Sequence, residues 1–184
     1  MLNVMVRNIN ALGLLGIAFI LGIGLVMQVV LDELPCPLCL LQRIGFALLM
    51  YGFMLNIVIG QRFSHYGVIV FAALFGAMAS LRQISLHVIP GSGTYGSAVF
   101  GYHLYTWSFL LFTATLLAVG VLLMLSRMPD MDIDGTVKMN LLERSACWIA
   151  VVTVALNVIA TFLECGPLVC ADNPVDYVML KSLG

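Results

Sequence analysis

Two cysteines, Cys36 and Cys39, stand in the stretch LDELPCPLCLLQR at 31–43, and Arg43 follows four residues after the second. Such a pair closes a disulfide, exchanges one with another protein, or supplies half of a zinc site. Pro37 suits the first turn of a helix, which puts Cys36 near the N-cap. There the positive end of the helix dipole favours a thiolate, the form that exchanges disulfides. Arg43 lies one turn beyond Cys39 on the same helix face. It either snorkels to the headgroups as an anchor or stabilises a thiolate or bound anion. Haem attachment is excluded, because Leu40 stands where C-x-x-C-H requires histidine.

A second short pair, Cys165 and Cys170, encloses Gly-Pro-Leu-Val. Gly166 and Pro167 are turn formers that let the chain fold back and bring the sulfurs together. A disulfide closing so small a ring constrains little chain, which points to a reactive role. The four cysteines could alternatively form a zinc site. Cys147 reads as a small apolar residue. Arg82, Gln83 and His87 are candidates to donate hydrogen bonds to a ligand near the outer end of one helix, whereas His103 suits headgroups. The run DMDIDG at Asp130–Gly135 opens like a calcium loop, but its twelfth position is Leu141 instead of the bidentate glutamate.

The elements that must hold these residues are membrane helices. The chain has 184 residues, 62% hydrophobic and only 9% charged, against about 25% charged in soluble domains. Its net charge of −1 excludes a nucleic-acid footprint. Apolar runs at Ala11–Leu31, Ile44–Gly60, Tyr66–Leu81, Leu104–Leu125 and Ala146–Leu163 predict five spanning helices. Their bounds are about 10–31, 40–61, 66–88, 104–126 and 145–163. Together with a tail at 164–184 they make one membrane domain over 1–184. The first run is too long for a cleavable signal and lacks its cleavage site. Ala72, Gly76 and Ser80 recur every four residues, which suits close helix packing in lipid.

Lys and Arg near the helix ends favour an N-in, C-out arrangement. Arg7, Arg62, Arg127, Lys138 and Arg144 then lie inside, and both short cysteine pairs fall outside. That is the side on which disulfides persist.

The C-x-x-C after helix 1, the Cys39–Arg43 spacing and QISLHVIPGS leading out of helix 3 together resemble the DsbB family of disulfide-bond formation proteins, over about residues 10–127. The resemblance implies a DsbB-like four-helix bundle carrying a fifth helix, in a bacterial inner membrane. It implies a membrane thiol:quinone oxidoreductase that reoxidises a periplasmic thioredoxin-like, DsbA-type protein and passes electrons to a quinone, ubiquinone or menaquinone. Cys36 and Cys39 would face the quinone, with Arg43 and then His87 beside it. Family members usually carry their second cysteine pair between helices 3 and 4. Here that loop, PGSGTYGSAVFGYH, has none, and Cys165 and Cys170 in the tail take the place of that pair. The alternatives are a reductase running in the opposite direction, as in relatives of vitamin K epoxide reductase, or a metal-binding membrane protein.

The topology is tested by thiol labelling. A membrane-impermeant reagent should reach Cys170 in intact, reduced cells; labelling only after permeabilisation would reverse the orientation.

Overall fold

The computed structural model describes residues 2–88, 96–125, 138–167 and 170–181. The calcium-loop segment Asp130–Gly135 lies outside the described residues. Among the described residues, five helices are long and apolar enough to cross a membrane. They are α1 (Leu2–Val30), α2 (Pro37–Val58), α3 (Phe63–His87), α4 (Leu104–Leu125) and α5 (Leu141–Cys165). A two-stranded hairpin, β1 (Ala98–Val99) and β2 (Tyr102–His103), precedes α4, and a four-residue helix, α6 (Val178–Lys181), ends the described tail. The chain is an all-α integral membrane protein, with that hairpin its only strand pair among the described residues.

Among the helix ends that differ from the sequence expectation, three have a clear local reason. The first helix begins at Leu2 instead of near residue 10, because Arg7 and Asn10 are buried and paired. The last begins at Leu141, four residues before the expected start. Asn140 caps it by accepting from the Glu143 N–H at 2.9 Å while the Glu143 carboxylate accepts from the Asn140 N–H at 2.8 Å. This reciprocal pair is a capping box. At its other end α5 runs on to Cys165, so that cysteine is helical and not part of a free tail. Gly166 stops the helix at φ 66°, and its N–H donates to the Phe162 carbonyl at 2.8 Å. A positive φ of this kind is comfortable only for glycine.

Along the bundle α4 packs on α3, α3 on α2, α2 on α1, and α1 on α5. The tightest approach is among α2, α3 and α4. Phe112 of α4 is fully buried and stacks on Phe46 of α2 with ring centroids 4.2 Å apart. Its ring lies over Gly76 of α3, where an added Cβ would come within 2.2 Å of it. Gly45 of α2 faces the same ring, and a Cβ added there would press on it at 3.0 Å. The small-residue stripe at Ala72, Gly76 and Ser80 is buried in this packing. Lipid gives helices no apolar driving force to associate, so close backbone approach of this sort holds them together.

The first and fifth helices are parallel and joined at both ends. Arg7 of α1 pairs with Glu143 of α5 at one end, and Gln28 of α1 donates to Glu164 of α5 at 3.2 Å at the other. The partners are 21 residues apart on each helix. Near the Arg7 end, Asn56 of α2 donates to Asn10 of α1 at 3.1 Å, and Asn10 donates to the Tyr66 hydroxyl of α3 at 3.4 Å.

Gly76→Ala should therefore destabilise the bundle by about 1–3 kcal/mol, because the Phe112 ring has nowhere to go. Thermal unfolding in detergent measures this. Gly67→Ala, where a Cβ meets nothing within 4 Å, should stay within about 0.5 kcal/mol of wild type. Equal melting of the two variants would show that the ring yields.

Candidate functional site

Cys36 is the N-cap of α2, with Pro37 at the first helical position, and its Sγ accepts from the Cys39 N–H at 3.3 Å. The two sulfurs lie 2.7 Å apart. The hydrogen bond to Cys39, with burial adding to it, raises the Cys36 thiol above its ordinary range. This opposes the lowering that its N-cap position alone would give. Two such close sulfurs titrate as a unit, since removing both protons would set two charges side by side.

Gln83 of α3 is buried beneath the pair. Its Nε2 donates to Cys36 Sγ at 3.3 Å and to Cys39 Sγ at 3.4 Å. Its Oε1 accepts from Gln42 Nε2 of α2 at 2.6 Å, which fixes which end of the Gln83 amide faces the sulfurs. The sequence placed Gln83 among possible hydrogen-bond donors to a ligand; its amide meets the thiols themselves.

Arg43 does not reach outward to headgroups. It crosses to α1, where Nη1 donates to Gln28 Oε1 at 2.7 Å and Nη2 donates to the Gly24 carbonyl at 3.1 Å. Gln28, fully buried, passes the contact on to Glu164 through its own Nε2. Sequence reasoning missed Gln28, Gln42 and Glu164. The one signal for them was a polar side chain inside or at the edge of an apolar run.

Cys39 and Arg43 share the wall of a cavity of about 340 Å³. It lies between α1 and α4 with α2 beneath, and its surface is overwhelmingly apolar, from Ile20, Leu21, Phe46, Leu104, Trp107 and Leu111 among others. The hairpin forms its outer edge. Glu33, in the link after α1, accepts from the Ser97 N–H at 3.1 Å, and Trp107 Nε1 donates to the Val99 carbonyl at 2.9 Å. Phe100 and Gly101 make the turn, with φ of 51° and 82°. Two positive φ values suit the tight turns that join twisted strands. Phe100 also lines the cavity.

His87 is placed differently from the expectation. Its Nδ1 contacts the Gln83 carbonyl at 2.8 Å, and its ring stacks on Tyr105 at 5.4 Å. Tyr105 lines the cavity and His87 stands behind it. His103 contacts the Gly96 carbonyl at 3.0 Å within the hairpin.

Cys165 and Cys170 form a disulfide with a Cα–Cα distance of 4.7 Å. Cys165 is buried at the end of α5 and Cys170 is half-exposed. A second cavity, of about 460 Å³, runs beside Cys165 between Glu164 and the tail residues Val175, Val178 and Lys181. The zinc alternative finds no support in this placement, since the tail sulfurs are bonded to each other. No group of three or more His, Cys, Asp or Glu side chains gathers as metal ligands among the described residues. Cys147 packs against the core near the start of α5, away from both pairs.

Residues 6–94 match the family described as disulfide bond formation protein DsbB. The match covers α1 to α3 and ends short of residue 127, so α4, α5 and the tail cysteines lie beyond it. The chain is 36% identical over 102 residues to disulfide bond formation protein B 1 of Pseudomonas fluorescens Pf-5, covering 54% of this chain and 48% of that protein. It is 37% identical over 92 residues to disulfide bond formation protein B of Stutzerimonas stutzeri A1501, covering 46% and 54%. A third relative, from Xanthomonas campestris pv. campestris 8004, is 37% identical over 84 residues, covering 43% and 49%. These matches span about half the length of the relatives. No solved structure matches the chain.

Proposed function

Because the chain belongs, through its residues 6–94, to the DsbB family of disulfide bond formation proteins, we propose that it is a quinone-dependent protein-disulfide oxidase of a bacterial inner membrane, with both short cysteine pairs on the periplasmic side. The observation that carries this reading is the apolar cavity with Cys39 and Arg43 on one wall. Its volume is in the range of small-molecule sites, and its lining suits a ring with an isoprenoid tail. A quinone bound there supplies an acceptor for two electrons and two protons. Arg43 would hold it by a carbonyl oxygen, and Cys39 would present its sulfur to the ring.

The reducing equivalents come from a periplasmic thioredoxin-like, DsbA-type dithiol. One partner thiolate attacks Cys170, the more exposed sulfur of the tail disulfide, and Cys165 leaves as the thiolate. The partner's second thiol then displaces Cys170 and departs as a disulfide. The tail is left as a dithiol, which reduces a Cys36–Cys39 disulfide by the same exchange. Two electrons and two protons thus move inward at each step. The resulting Cys36–Cys39 dithiol, held by Gln83, delivers them to the cavity.

Separate variants test the two halves. Arg43→Ala should slow reduction of decylubiquinone by about tenfold or more with partner binding nearly intact, and Lys should rescue poorly because it lacks the planar fork. An unchanged rate at low quinone would make Arg43 a simple anchor. With the tail disulfide intact, a partner lacking its second thiol should be trapped as a mixed disulfide on Cys170. Cys170→Ser should abolish partner oxidation while a small dithiol still drives quinone reduction through Cys36 and Cys39. Normal partner oxidation by Cys170→Ser would rule out the relay.

A further inference from the structure

We propose that Glu164 is the counter-charge of Arg43, so that α5 sets, through the Gln28 amide, how much of the Arg43 charge reaches the Cys36–Cys39 pair. This rests on the role of Arg43 given above and adds a positioning residue on a helix that the family match does not cover.

Glu164 is 1% exposed. A carboxylate so buried is costly unless a cation answers it. Of the cations at this end of the bundle, Arg82 is exposed, and Lys181 is exposed and engaged by Asp176 at 2.7 Å. Arg43 is left, one amide away. Gln28 turns its oxygen to the guanidinium at 2.7 Å and its nitrogen to Glu164 Oε2 at 3.2 Å. An amide between a cation and an anion is oriented by both, and it couples their charges. The other carboxylate oxygen, Oε1, is buried without a hydrogen-bond partner among the described residues, so Gln28 is the one group fixing the carboxylate there.

Arg43 therefore has two claimants. Glu164 draws it toward α1 and α5, and any negative charge forming on the sulfurs draws it back along α2. Neutralising Glu164 leaves Arg43 to the sulfurs alone. Glu164 also directly precedes Cys165, so the last turn of α5 that carries the tail disulfide carries the counter-charge too.

The test needs no quinone, so its outcome is independent of whether the protein reduces one. The full-length protein is reduced in detergent, and alkylation of Cys36 and Cys39 by iodoacetamide is followed site by site at pH 7. Glu164→Gln should speed alkylation at least about twofold, while Glu164→Asp stays near wild type. In an Arg43→Gln background, Glu164→Gln should change nothing. An equal acceleration in both backgrounds, or none in either, overturns the proposal. Gln28→Met cuts the bridge and keeps the carboxylate; it should also accelerate alkylation only when Arg43 is present. It takes the place of Glu164→Gln in the same cycle should that variant fail to fold.

Discussion

A polar side chain buried in a membrane protein must find its partner within the protein, because lipid offers none. This constraint organises most of the bundle. The buried polar groups gather in two layers, one near each end of the helices. Arg7, Asn10, Asn56, Tyr66 and Glu143 make the first; Gln28, Gln42, Arg43, Gln83 and Glu164 make the second. Between them the core is largely apolar, packed around Phe46, Leu49, Ile69 and Phe112. The second layer adjoins the Cys36–Cys39 pair through Gln83, whose amide donates to both sulfurs.

The Cys36–Cys39 pair sits where a helix starts, and that start is local chemistry. Cys36, Pro37 and Cys39 lie within four residues, so cap, first turn and thiol pair could all be read from the sequence. The same holds for the five spans. What could not be read was pairing across long separations. Gln28 and Glu164 are 136 residues apart, and nothing local distinguishes their bond from two tolerated polar residues. The same blindness truncated α1, since Arg7 and Asn10 read as the end of an apolar run when they are a buried, paired part of the helix. The early start of α5 rests on Asn140-Leu-Leu-Glu143, a capping-box pattern that the apolar run alone does not reveal.

The cavity follows from how the helices neighbour one another. The first helix turns toward α2 and α5, and the fourth is drawn onto α3 by Phe112 seated on Gly76. The space between α1 and α4 is left to be lined by their apolar side chains and edged by the hairpin. Phe100 is held there at φ 51°, in a region that costs a bulky residue energy. The backbone conformation required by the two-residue turn outweighs that cost, and it places an aromatic ring at the cavity edge.

The two ties between α1 and α5, 21 residues apart along both helices, are spaced to the depth of the surrounding lipid. At 1.5 Å per residue they stand about 31 Å apart along the axes, close to the hydrocarbon depth of a bilayer, about 30 Å. Single helices meet a thicker or thinner bilayer by tilting independently. These two are pinned at both ends and must lean as one plank. The upper pin is the Gln28–Glu164 bond, one hydrogen bond from Arg43. That shared pair carries both the guanidinium's anchor and the root of the tail disulfide, so any tilt of the two helices moves both together.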